Sequence, residues 1–202
     1  MSTVLESRYT LAEYLARENP AQFKSEFING DIVERPVCPI RHCEITGNVM
    51  CRLHTHSKSA SSFRVYTSDV RVRVPANGLV AYPDLSLVCH KLVMDRKDEI
   101  AINNPAVLVE VYSPDTECFD RGKKFGLYRQ LDSLREYILV AQDEAHVERY
   151  VRQADDAWLL TVFKGLDAVL ELTTLGCSLP LSEVYEDVTF PPPKPSPELA
   201  VS

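Results

Sequence analysis

The sequence predicts a single α/β (α+β) domain, and three observations carry that prediction. Helix-type and strand-type apolar periodicities are interspersed along the chain. One segment, Ala106–Tyr112, is an almost unbroken run of apolar residues, the pattern of a strand covered on both faces. No repeat and no linker divides the 202 residues, a length that suits one well-packed core.

In chain order, Thr10 to Glu18 predicts a short helix. Thr10 and Glu13 stand at capping-box spacing, Leu11, Tyr14 and Leu15 form an i, i+3, i+4 stripe, and Pro20 stops it. Phe23 to Glu34 predicts two short strands around Asn29-Gly30, a pair suited to a tight hairpin turn. A second helix follows Pro39, with Ile45, Val49 and Leu53 recurring every four residues and His42 on the same stripe. From Phe63 to Pro75, Val70, Val72 and Val74 alternate with Asp69, Arg71 and Arg73. This predicts one half-buried strand whose arginines form a solvated face. Asn77-Gly78 marks a turn, and strands at Asp84–Cys89 and Ala106–Tyr112 each follow an X-Pro pair. Ser113 and Pro114 supply the cap and first-turn residue of a helix of about four turns ending near Leu131. Strands near Glu136–Val140, Val147–Arg152, Trp158–Phe163 and Ala168–Leu172 complete the body. Residues 1–8 are expected to be a flexible start, 9–187 one domain, and 188–202 a Pro-rich disordered tail.

Composition narrows the function. A formal net charge of −7 argues against a sequence-independent nucleic-acid binder, although basic residues gather at Arg64, Arg71 and Arg73 and again at Arg121, Lys123, Lys124 and Arg129. Six cysteines form no CxxC pair. With His54 and His56, Cys38, Cys43 and Cys51 match no standard structural zinc spacing. No apolar run is long enough for a membrane span, and Met1 to Arg8 lacks a secretory pattern, so a cytoplasmic location is expected.

Glu110 starts the chemical argument. It is the one charge in an apolar strand, where an uncompensated carboxylate costs several kcal/mol. A cation, a metal ion or a proton must answer it. Asp84 opens a separate strand that can lie in the same sheet, and two close carboxylates invite a bridging divalent ion with a preference for hard oxygen donors, Mg²⁺ or Mn²⁺. Asp120, Lys124 and Tyr128 fall on one face of the helix after Glu110, which can turn that face back on its strand. Structural roles compete with each of these. Glu110 could pair with Arg129 or Lys123, Asp84 could be a turn residue after proline, and Lys124 could be a solvated helix residue like its neighbour Lys123. His42 could be a core or edge histidine.

Tyr82-Pro83-Asp84, then Val109-Glu110-Val111-Tyr112-Ser113-Pro114, then Asp120-Arg121-Gly122-Lys123-Lys124-Phe125 with Tyr128, resembles the Uma-two family of restriction-endonuclease-type proteins in the PD-(D/E)XK nuclease superfamily. Glu26 with Phe27–Glu34 resembles the entry hairpin of that family, and Leu134–Val140 is also similar; the likeness spans Tyr9 to Tyr185. It implies a restriction-endonuclease-like mixed sheet flanked by helices and a metal-dependent endonuclease acting on DNA. Asp84, Glu110 and the carbonyl of Val111 would be metal ligands, and Glu26 a further acid beside them. Lys124 would orient or deprotonate the attacking water, and a homodimer is expected. One departure stands out: the superfamily lysine two residues after the strand acid is Tyr112 here, so its role passes to Lys124. The alternative is a catalytically silent nucleic-acid-binding or interaction module on the same fold.

Overall fold

Thr10 caps the first helix as its spacing predicts. Its hydroxyl accepts the Glu13 N–H at 3.2 Å, and the Glu13 carboxylate accepts the Thr10 N–H at 2.7 Å, opening α1 (Leu11–Glu18). The computed structural model describes residues 8–60 and 63–192, so nearly all of the expected flexible start and residues 193–202 of the expected tail lie outside the described residues. Within 188–192, Val188 and Phe190 pack on the core, with the Phe190 ring 5.2 Å from that of Tyr185. Asn29 and Gly30 adopt φ of 53° and 86°, and so close the hairpin of β1 (Ser25–Ile28) and β2 (Asp31–Glu34).

The chain then runs α2 (Ile40–Ala60), β3 (Arg64–Thr67), β4 (Arg71–Val74), β5 (Leu79–Ala81), β6 (Leu85–Val88), β7 (Ala101–Ile102) and β8 (Val107–Tyr112). A π-helical stretch, Phe119–Lys124, leads into α3 (Phe125–Tyr128). After it come β9 (Glu136–Ala141), β10 (His146–Arg152), β11 (Trp158–Lys164), β12 (Val169–Leu172), β13 (Cys177–Pro180) and α4 (Leu181–Val184). Six strands form a mixed sheet in the order β11-β10-β9-β8-β6-β3, with β8 and β9 parallel. A second sheet, β2-β1-β5-β4-β7, and the β12-β13 hairpin complete the strands.

β8 is the hub. All six of its residues are buried, and the two-residue period of a strand divides them between the faces of the sheet. Val107, Val109 and Val111 join the cluster built by Ile45, Val49 and Leu53 of α2 with β12, β13 and α4. Leu108 and Tyr112 join the opposite cluster, with Phe125 and Tyr128 of α3 and residues of β4 and β5. Glu110 shares that second face, where the helical segment that follows its own strand lies against it.

Two sequence expectations are corrected. Phe63–Pro75 is not one strand: a turn closed by the Val70 N–H on the Thr67 carbonyl (3.1 Å) sends β3 to the six-stranded sheet and β4 to the other. The arginines of β4 are not a solvated face, because Asn19 after α1 and the segment carrying Asp95 and Asp98 lie against them. Arg71 is fully buried, its Nη2 2.7 Å from Asp98 Oδ1 and 2.8 Å from Asn19 Oδ1, and Arg73 Nη1 meets Asp95 Oδ2 at 2.5 Å. Arg71→Ala should therefore lower folding stability by about 3–5 kcal/mol, since Asp98 would be left buried and unpaired. A urea melt showing under about 1 kcal/mol of loss would contradict that account.

The helix after β8 also differs from the regular four turns expected. Ser113 caps its start, its hydroxyl accepting the Thr116 N–H at 3.3 Å. Beyond it the backbone widens into the π-helical stretch, where the Phe125 N–H reaches the Asp120 carbonyl, five residues back. No helix among the described residues is long and apolar enough to cross a membrane.

Candidate active site

At one end of β8 several elements surround a cleft of about 400 Å³. The β6–β8 ladder runs from Leu87↔Val107 to Leu85↔Val109 and stops there. Asp84 stands one residue before β6, where the ladder has ended, and its carboxylate takes over what the missing strand would have done. Its Oδ2 accepts the Val111 N–H at 2.7 Å. Its Oδ1 accepts from Arg35 Nη2 at 3.1 Å and is bonded to His42 Nε2, also at 3.1 Å. Against the effect of burial, His42, Arg35 and the Val111 amide hold the Asp84 carboxyl below its ordinary pKa.

Glu110 finds its cation in Lys124, whose Nζ lies 2.9 Å from Glu110 Oε1, 3.3 Å from Glu26 Oε1 and 3.7 Å from Asp120 Oδ1. Neither Lys123, which is exposed, nor Arg129 takes that place. Tyr128, one turn beyond, donates its hydroxyl to Glu110 Oε1 at 3.1 Å. Burial pushes the Glu110 carboxyl up to about 8; Lys124 opposes the rise, and Asp84, Asp120 and Glu26 reinforce it. Asp120 is raised too, chiefly by burial. Lys124, despite its burial, is held above its ordinary value by Glu110, Glu26 and Asp120. The three acids around it favour its charged form.

The geometry thus brings Glu26, Glu110 and Lys124 into direct contact. Asp84 joins them through Arg35, whose Nε is 4.0 Å from Glu26 Oε1 and whose Nη1 donates to the Tyr82 carbonyl at 2.5 Å. Glu26 also accepts the Tyr82 N–H at 3.2 Å, which ties β1 to the turn carrying Asp84. Val111 lines the same cleft. Sequence reasoning missed Arg35 and Gln142, and left His42 as a structural histidine. Arg35 sits outside any periodic segment, beside Pro36, and only the spacing of His42 ahead of the Ile45 stripe gave a hint.

A mixed sheet with carboxylates at the frayed end of its central strands, a helix lysine laid on them and an open cleft define a restriction-endonuclease-like α+β protein. In accord with this fold, the crystal structure of a putative nuclease belonging to DUF820 from Anabaena variabilis superposes with a TM-score of 0.72 at 20% identity, over 87% of this chain and 97% of that one. The chain belongs to the Uma2 family, described as "Putative restriction endonuclease", whose model matches residues 11–182. Two proteins of Synechocystis are similar: sll1609, 34% identical over 81% of this chain and 92% of its own length, and slr1290, 29% identical over 88% and 92%.

Proposed function

We propose that this chain is a metal-dependent endonuclease that hydrolyses phosphodiester bonds of DNA. The observation that carries the reading is Glu110, buried in the central strand with Lys124 at 2.9 Å and opening on the cleft that Asp84 also lines.

The residues fit a hard divalent cation by charge and donor type. Six acids line the cleft, Glu26, Glu34, Asp84, Glu110, Asp115 and Asp120, against the two full cations Arg35 and Lys124. Gln142 adds a buried side-chain oxygen with no hydrogen-bond partner. As the side chains stand, no group of three or more such ligands is gathered among the described residues, because the carboxylates are turned onto Lys124 and Arg35. Asp84, Glu110 and the carbonyl of Val111 would hold Mg²⁺ or Mn²⁺. In a strand, a residue exposes its N–H and C=O on the same edge, and the Val111 N–H already faces Asp84. Such an ion supplies Lewis acidity and a bound water of lowered pKa. Lys124 places positive charge where the phosphate becomes more negative, Tyr128 fixes the Glu110 carboxylate, and Glu26 keeps the ammonium in line.

Purified protein should nick or linearise plasmid DNA with Mg²⁺ or Mn²⁺, and not in EDTA, with Asp84→Asn as control. Equal cleavage by that variant would remove Asp84 from the site. Pairing of two copies, which would let both strands be cut, is supported by β11, an edge strand exposing Leu159, Leu160 and Val162. Light scattering at assay concentration tests it, a monomer mass being the adverse result. The silent-module reading draws on one observation, the hold of Arg35 on Asp84. Absence of any Mn²⁺ binding would favour it.

A further inference from the structure

We infer that Arg35 is the resident cation of the metal site: its guanidinium fills the acid cluster when no divalent ion is bound and must swing out for one to enter. The inference rests on the metal-dependent reading above. It starts from the placement of the guanidinium, whose Nη2 is 3.1 Å from Asp84 Oδ1 and whose Nε is 4.0 Å from Glu26 Oε1. Asp84 is one of the two acids proposed for the ion, and Glu26 is the acid beside them.

Ion and arginine compete for the cluster. A carboxylate offers about four lone-pair directions, and on Asp84 Arg35, His42 and the Val111 N–H already take three. A divalent charge placed on the same carboxylate would stand within a few ångströms of the guanidinium, where like charges repel strongly in a partly desolvated site.

Of the two cations on the cluster, Arg35 is the one free to leave. Lys124 rises from the buried helix face and its side chain is 5% exposed, whereas that of Arg35 is 18% exposed. Arg35 directly follows β2 and opens a segment, Pro36 to Pro39, that forms no regular element and exposes Val37 at 92%. Its departure would cost the bond to the Tyr82 carbonyl. Occupancy of the site by Arg35 lowers the fraction of molecules competent to bind metal, and the apparent affinity falls by that fraction.

The test is Mn²⁺ binding to the full chain, by calorimetry, for wild type, Arg35→Met and Arg35→Lys, alongside thermal melts in EDTA. Arg35→Met should bind Mn²⁺ about tenfold more tightly or better. It should melt lower in EDTA and gain more from added Mn²⁺ than wild type does. Arg35→Lys, which restores a cation, should bind close to the wild-type affinity, and it is compared with Arg35→Gln if the methionine variant does not fold. Equal affinity in wild type and the neutral variants, or weaker binding in the latter, overturns the role of Arg35 and leaves the metal site standing. No Mn²⁺ binding by any of the proteins overturns the metal-dependent reading and this inference with it.

Discussion

Replacing Glu110 by glutamine is expected to reduce DNA cleavage by about 10³-fold while leaving the fold as stable as before, or more so. The two halves of this result have one cause. Glu110 is 3% exposed, and burial among Asp84, Asp120 and Glu26 pushes its carboxyl up to about 8 in spite of Lys124. Such a residue is held at a cost to the fold, which is expected of a group kept for chemistry. Glutamine has the same shape and still accepts the Tyr128 hydroxyl, but it brings no charge to the cluster. The sign of the pH effect follows from linkage. A folded-state pKa above the ordinary value of 4.5 contributes stability that is fully present below that value and is lost as pH rises through about 8. Glutamine lacks this titration, so in EDTA the stability advantage of the variant should grow between about pH 5 and pH 8. Urea melts at the two pH values and a cleavage assay check both halves. Wild-type cleavage by the variant, or a loss of several kcal/mol in its stability, would contradict the assignment.

Glu110 was legible because a charge in an apolar run demands a compensating partner inside a sheet. Lys124 was legible because Asp120 and Tyr128 mark the same helical face, and that choice over Lys123 agrees with the contacts, even though the helix carries a π-helical stretch that a 3.6-residue period does not foresee. The capping box of α1, the Asn29-Gly30 hairpin and the Ile45-Val49-Leu53 stripe were likewise readable, each being set by neighbours in sequence. Arg71 was not. Alternation tells which residues share a face, but not what packs on that face, and here Asn19, Asp95 and Asp98 meet the arginines of β4. The short strands β5, β7 and β13 were missed for a related reason, since two to four residues carry too little period and depend on the strands they pair with. Arg35 and Gln142 come to the cleft from the ends of β2 and β9, where no pattern in the chain points to a common place.

The second large effect concerns Lys124. Lys124→Met keeps most of the stem and removes the charge that lies within 4 Å of Glu110, Glu26 and Asp120. In EDTA the variant should lose about 3–5 kcal/mol of stability, the usual consequence of leaving buried carboxylates without their partner. Cleavage should fall by about 10²–10³-fold even at saturating Mg²⁺, because an ion on Asp84 and Glu110 does not supply the positive charge that Lys124 sets beside them. The double variant Glu110→Gln/Lys124→Met separates a real pair from proximity. If Glu110 and Lys124 compensate each other, removing both should recover a large part of the stability lost by removing the lysine alone. The coupling would then reach about 1–3 kcal/mol in a double-mutant cycle. Additive losses would mean that Glu26 and Asp120 hold the ammonium. In that case the strand acid would meet its burial with a proton, and the lysine would sit beside the chemistry without belonging to it.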